Sequence, residues 1–280
     1  MNKLVSIVVL CHNYGRYLRE AVDSAIAQTH PSCEVLVVDN GSSDDSFEVA
    51  RSYGDAVQVI RHERNQGVER AFNDAVGRCQ GEYVVRLDAD DRLEPSYVER
   101  LLNALERSSE SAFAYCRARM FGAREGVMRC FPFSPFLLAG RTNFVNASAL
   151  TSRAAFLEAG GYSEDLEHTN EDWDLWLKLL ERGRRGTYVR APLLNWRRHP
   201  GGSRNPETGE PLAASIREIR ARHPVLVATV SGTRGRVDCA VDFTVAAADV
   251  LAGLSRLPRL AQAFERNSWS RFQRRLAGSR

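Results

Sequence analysis

Three carboxylates fall within four residues of the stretch VVRLDADDRLEP: Asp88, Asp90 and Asp91, at the end of an apolar run. Like charges this close repel, and burying them unpaired is costly. Hard cations such as Mg2+ and Mn2+ take oxygen ligands, commonly one or two carboxylates together with substrate phosphates. The D-x-D-D element therefore reads either as a cation site shared with a diphosphate or as an acidic turn capping the helix that opens near Pro95. In VVDNGSSDDS (37–46), Asp39 ends a second apolar run, and Gly41 permits a tight turn. A carboxylate there can accept from a base N–H or a ribose hydroxyl, whereas Ser43 and Asp44 suit plain helix capping. In CHNYGRY (11–17), Asn13 and Gly15 suit a turn and Tyr14 offers a ring for stacking; His12 has no paired ligand nearby. Glu171 and Asp172 open another helical pattern, where acids oppose the macrodipole. A carboxylate fixed there can also take a proton from a hydroxyl. In NWRRHPGGS (195–203), Arg197 and Arg198 could reach a phosphate and His199 could complete a metal site.

These residues need elements to hold them. LVSIVVL (4–10), EVLVVD (34–39), AVQVIR (56–61) and EYVVRLD (82–88) read as strands, separated by helical patterns over 16–28, 43–53 and 67–79. Strand–helix alternation with short loops predicts a parallel, doubly wound α/β sheet, and such sheets bind ligands at the carboxyl ends of their strands. Asp39 and Asp88 lie at two such ends. After a helix over 95–107, the alternation loosens. A strand is expected over 111–122, an apolar Pro-interrupted stretch over 127–144, a strand over 144–152 and a short helix over 153–162. NEDWDLWLKLLERG (170–183) reads as a helix with Asn170 as N-cap, and 205–280 as three helical pieces.

With 280 residues, 44% hydrophobic and 26% charged, the chain is ordinary for a soluble globular protein. Its net charge of +3 is uneven: residues 201–280 hold 13 arginines against seven acids, +6, leaving −3 for the rest. A basic tail suits peripheral contact with an anionic membrane face through the C-terminus, an oligomer contact, or a solvated helix face. The six cysteines form no C-x-x-C pair and read as reduced thiols of a cytoplasmic protein. The apolar run near the start is too short for a signal peptide, and none approaches a membrane span.

Taken together, VSIVVLCHNYG through VVDNGSSDDS, NQGVERAFNDAVGRCQGEYVVRLDADD, and GGYSEDLEHTNEDWDLWLKLLERG resemble the family 2 glycosyltransferases over roughly residues 4–200. The resemblance implies a GT-A fold: a Rossmann-like, mostly parallel sheet with flanking helices, here with a helical C-terminal segment. It divides the chain into a catalytic domain, 1–204 (nucleotide-binding half about 1–95, acceptor side about 96–204), and a helical extension, 205–280. It implies an inverting transfer of sugar from a nucleotide-sugar donor to an acceptor hydroxyl, with a divalent cation, Mn2+ or Mg2+, as cofactor. By the same resemblance Asn13, Tyr14 and Asp39 surround the base and ribose, Asp88 contacts ribose or sugar, Asp91 orients the sugar, and Asp90 holds the cation. Asp172 is the base, with Glu171 beside it, and His199 is similar to a histidine that meets metal or diphosphate in some members. Asn40 departs from the frequent V-D-D-G-S form. Phe72 stands where many members have Arg, so a phosphate contact is lost or passes to Arg70 or Arg86. The acceptor is a glycan, a lipid-linked or a small molecule, and no nucleic acid partner is expected. Two other readings are a sugar-nucleotide nucleotidyltransferase, disfavoured by the missing Gly-rich phosphate loop after the first strand, and a non-catalytic binding protein on the same fold.

Overall fold

The computed structural model describes residues 3–128, 130–167, 170–200, 209–231 and 258–278, together with 238, 240, 242 and 243. Its centre is β1 (Val5–Cys11), buried along its whole length. Successive side chains of a strand point to opposite faces. Accordingly Val5, Ile7 and Val9 pack under α1 (Gly15–Ile26) and α4 (Tyr97–Leu105), while Val8 and Leu10 pack with α3 (Val68–Arg78) and α7 (Glu171–Glu181). Strands covered on both faces read as continuous apolar runs, which is the pattern of this sheet's centre.

β1 pairs in parallel with β2 (Cys33–Asn40) on one side and β4 (Tyr83–Asp88) on the other. β3 (Gln58–His62) extends the parallel set beyond β2, and α2 (Ser46–Arg51) follows β2. The register sets Asp39 opposite Cys11 and Asp88 opposite Leu10, so both acids reach the same carboxyl edge. Beyond β4 the sheet becomes mixed. Its order among the described residues is β3-β2-β1-β4-β8-β6-β9-β5, with β7 (Gly126–Val127) pairing β6. β8 (Leu150–Ser152) runs antiparallel to both β4 and β6 (Ser111–Gly122), while β6 and β9 (Arg185–Arg198) run parallel.

β9 does not announce itself in the sequence. It contains Pro192, which cannot donate to a ladder and is tolerated where pairing is irregular. The β6–β9 register shifts on both sides of the Arg117–Pro192 pair. The end of β9 then pairs antiparallel with the two-residue strand β5 (Arg92–Leu93). That pairing carries Arg197 and His199 to the acidic turn after β4.

Part of the Pro-interrupted stretch is a short buried helix, α5 (Pro135–Gly140), with Ser134 accepting from the Leu137 N–H and Pro at its start. α6 (Arg153–Glu158) leads from β8 toward α7. α8 (Gly209–Arg222), α9 (Pro224–Ser231) and a last helix, α10 (Pro258–Gly278), follow. α10 seats Phe272 edge-on against Phe136, ring centroids 5.4 Å apart, and Trp269 near Phe133. Two of its arginines are engaged within the chain: Arg271 with Asp238 and Asp242, and Arg275 with Asp238. Among the described residues no helix is long and apolar enough to cross a membrane. The expected boundary at 204/205 and the last residues of the NWRRHPGGS stretch, 201–203, lie outside the described residues. Cys11, Cys33, Cys79, Cys116 and Cys130 are free thiols.

Candidate active site

A cleft of about 650 Å³ opens at the carboxyl edge of β1 and β4. Its lining draws together Tyr14, Asp88, Asp90, Asp91, Glu171, Asp172 and His199 of the residues expected from sequence. Asn13, Asp39 and Arg70 are not in that lining.

The acidic turn is short of compensating charge. Asp91 is 5% exposed and accepts the Arg197 N–H at 2.8 Å. Burial, then the charges of Asp90 and Asp88, push its carboxyl well above the ordinary range. Asp90 is raised mainly by burial, against the pull of its hydrogen bond to His199, whose Nε2 lies 2.7 Å from Asp90 Oδ2. The His199 ring is itself wedged beside Tyr14 and Tyr17, centroids 5.8 and 5.5 Å away. Arg197 does not reach into the cleft as a free cation. Its Nε donates to Asp90 O and its Nη2 pairs with Glu20, fixing the turn from behind.

Among the described residues no three His, Cys, Asp or Glu side chains converge as a closed metal site. Asp90 and His199 instead offer one oxygen and one nitrogen at the lip of an acid-rich cleft. The carboxylate suits Mg2+ or Mn2+, which keep most positions for water and phosphate oxygens, and a nitrogen ligand beside it favours Mn2+ over the harder Mg2+.

The loops after β1 and β2 are pinned to each other. Asn13, in a left-handed conformation (φ 59°), accepts the Ser43 N–H at 2.8 Å with its side chain, and its own N–H donates to Ser42 Oγ. It thus braces the two loops together. Asp39 is 1% exposed; Oδ1 accepts the Ser42 N–H at 3.1 Å, while buried Oδ2 has no hydrogen-bond donor, the Arg61 Nε standing 3.6 Å off. A buried carboxylate oxygen without a donor has capacity for a ligand N–H. Gly41 (φ +72°) is obligatory beside it, because a Cβ would lie 2.3 Å from the Arg64 carbonyl carbon.

Asn40, the departure from V-D-D-G-S, has a structural reason. Its Nδ2 donates to Asn65 Oδ1 and Gly67 O, at 3.0 and 3.2 Å, and its Oδ1 accepts the Gln66 N–H and meets His62 Nδ1. Only an amide can do both, so Asn40 staples the 65–67 loop to β2. Phe72 also has a packing role, in an aromatic cluster with Phe156 and Tyr162. Arg70 lies outside the cleft, its Nε 3.0 Å from Glu164 on the surface.

The opposite wall is the start of α7. Asn170 occupies the N-cap position with φ 113°, yet its side chain does not cap; it donates to Ser215 of α8. Asp172 Oδ1 accepts the Trp173 N–H at 2.8 Å and Oδ2 accepts Asn143 Nδ2 at 3.1 Å. Burial and the adjacent Glu171 charge raise the Asp172 carboxyl, and Arg86 opposes them; the result is about 7. A carboxylate poised there is suited to accept a proton near neutral pH. Asn143 and Arg86 are therefore parts of the site, the second expected only as a phosphate contact. Asn143 sits in GRTNF (140–144) without any local signal. Met128, Phe144 and Trp196 add an apolar wall.

Residues 6–156 match glycosyl transferase family 2. The chain is similar to the uncharacterized glycosyltransferase RP339 of Rickettsia prowazekii, 30% identical over 194 residues, covering 63% of this chain and 58% of that protein. This chain thus spans less than two thirds of that relative's length. Among solved structures it is similar to S. aureus TarS 1-349 in complex with UDP-GlcNAc, with TM-score 0.66, 16% identity and coverage of 98% of this chain and 81% of that one. It is also similar to the mannosyltransferase PcManGT of Pyrobaculum calidifontis in complex with GDP-Man and Mn2+, with TM-score 0.58, 19% identity and coverage of 100% and 86%. At these identities the two structures show the shared fold, the GT-A arrangement expected from the sequence.

Proposed function

The chain belongs to glycosyl transferase family 2, and from that membership we propose that it moves a sugar from a nucleoside diphosphate donor to an acceptor hydroxyl with inversion. The observation that carries this reading is the pairing of two unlike acid sites across one cleft: the Asp88–Asp90–Asp91 turn and the Asp172 carboxyl poised at about 7. The nucleotide-sugar complexes of TarS and PcManGT support the donor class, and the Mn2+ of PcManGT supports a divalent cation.

In this mechanism the Asp39 oxygen that has no donor accepts a base N–H, and Tyr14 flanks the nucleoside. Asn13 and Asn40 hold the two loops that frame it. Asp88 and Asp91 orient ribose and sugar hydroxyls by accepting hydrogen bonds. Asp90 and His199 would hold the divalent cation, which when bound offsets charge on the departing diphosphate. Asp172 takes the acceptor hydroxyl proton as that oxygen attacks the anomeric carbon from the face opposite the nucleotide. Asn143 and the Trp173 N–H hold the carboxylate in place, and alignment of the two substrates supplies much of the remaining acceleration. The catalytic unit of the proposal is residues 1–204, and the described helices α8, α9 and α10 of the remainder contribute Ile219, Leu226 and Phe272 to the same apolar core.

A thermal-shift panel of UDP-, dTDP- and GDP-sugars, with and without Mn2+, tests the donor class. One nucleotide-sugar class should raise the melting temperature in a Mn2+-dependent way. Stabilisation by nucleoside triphosphates alone would instead indicate nucleotidyl transfer.

A further inference from the structure

Arg86 is a charged side chain in the interior of β4, only 5% exposed. Residues i and i+2 of a strand share a face, which puts its guanidinium beside the Asp88 carboxylate. Nε and Nη2 donate to Asp88 Oδ1 and Oδ2 at 2.9 and 3.2 Å. Nη1 donates to Glu171 Oε1 at 2.7 Å. One planar fork therefore reaches from the acidic strand to the first turn of α7, a geometry that lysine cannot reproduce. Glu171 is nearly as buried as Arg86, and its Oε2 accepts the Asn170 N–H at 3.2 Å. Its carboxylate directly precedes Asp172.

We infer that Arg86 is a positioning residue that ties the Glu171 carboxylate to the acidic strand and, by offsetting its charge, sets how tightly Asp172 holds a proton. The inference rests on the reading of Asp172 as base only for its catalytic meaning. The charged and titratable groups around the pair are Asp88 and Asp91 at the end of β4, Tyr162, whose ring centroid is 6.0 Å from the guanidinium carbon, and Asp172. Asn143 is the neutral neighbour. Glu171 and Arg86 act on Asp172 in opposite senses, the first raising its carboxyl and the second lowering it. Glu171 is the stronger of the two influences and Arg86 opposes it, so removing either member moves Asp172 in a defined direction.

Aspartate carboxyl carbons labelled with 13C in the full chain read this titration directly, the Asp172 signal being the one lost in Asp172→Asn. The wild-type midpoint is expected at about 7. Arg86→Met should raise it by about one unit or more, tenfold in proton affinity, and Glu171→Gln should lower it by a similar amount. The double variant Arg86→Met/Glu171→Gln should lie between the two single variants, and Arg86→Lys, which keeps the charge, should lie nearer wild type than Arg86→Met. An unchanged midpoint in Arg86→Met, or a double variant whose midpoint falls outside the interval between the two single variants, overturns the inference. If Arg86→Met fails to fold around an unpaired Glu171, Glu171→Gln decides, and a wild-type midpoint there is equally fatal. Turnover of Asp172→Asn tests the base assignment separately: normal transfer would remove that reading while leaving the midpoints as a test of Arg86.

Discussion

His199 Nε2 and Asp90 Oδ2 are 2.7 Å apart although 109 residues separate them in the chain. The contact exists because β9 returns along β6 and closes on β5, delivering the residue after the strand to the acidic turn. Two potential ligands brought together this way should act together. Asp90→Ala and His199→Ala are each expected to weaken Mn2+-dependent nucleotide binding by at least the roughly 10–100-fold loss typical of partners outside the ligand shell. Calorimetric titration of the stabilising nucleotide, with Mn2+ and with chelator, checks this; affinity indifferent to chelator would count against a cation site.

Asp172→Asn should keep nucleotide binding and lower transfer by about 10²–10⁴-fold, the usual contribution of a general base. In the wild type the rate should rise with pH through about 7, because the ionised form is the base in the proposed mechanism. Stability should move the other way. A carboxyl raised in the folded state is protonated there while the unfolded chain is already ionised, so stability is lost as pH rises from the ordinary aspartate range to about 7. Asp172→Asn should therefore melt higher than wild type at pH 8, by on the order of a few kcal/mol, with the advantage gone in acid.

Asn143→Ala removes the amide that donates to Asp172 Oδ2. That hydrogen bond favours the ionised carboxylate, so its loss should move the pH–rate profile to higher pH. A drop in turnover of about tenfold at neutral pH, with unaltered nucleotide affinity, is the expected kinetic signature. A profile that does not move would assign Asn143 to packing.

Asn40→Asp restores the commoner motif and should nonetheless be harmful here. A carboxylate cannot donate to Asn65 Oδ1 and Gly67 O, so two acceptors would face a negative charge. Loss of about 1–3 kcal/mol in urea unfolding is expected, together with weaker nucleotide binding from a freed 65–67 loop.

Much of this was legible before any coordinates. β1, β2 and β4 are apolar runs with helices between them, and Asp39 and Asp88 near the ends of two of them marked the carboxyl edge of the sheet. What the sequence concealed has physical causes. β9 carries Pro192 and lies in an irregular register, so it lacks the clean alternation of a strand. Asn143 belongs to a loop, and its link to Asp172 is a contact across the fold that no local pattern encodes. Arg86 was visible only as a phosphate candidate; its bond to Glu171 depends on α7 docking over β4. Asn170 reads as a cap from residue type alone, but its side chain accepts no helix N–H and its Nδ2 donates to Ser215 Oγ on another helix. Arg70, a candidate phosphate contact by resemblance, pairs with the exposed Glu164 and is not among the cleft-lining residues.

The parallel register around β1 has one more consequence. Asp39, next to last in β2, and Asp88, last in β4, flank β1 on either side, so their backbones are separated by two strand spacings, about 10 Å. No loop rearrangement can alter that interval without rebuilding the hydrogen-bond ladder. The sheet is in effect a fixed gauge between the two acids. In the proposed mechanism it sets the distance from the group that meets the base to the group nearest the diphosphate, so a donor with a longer or shorter span between those two would require a different sheet.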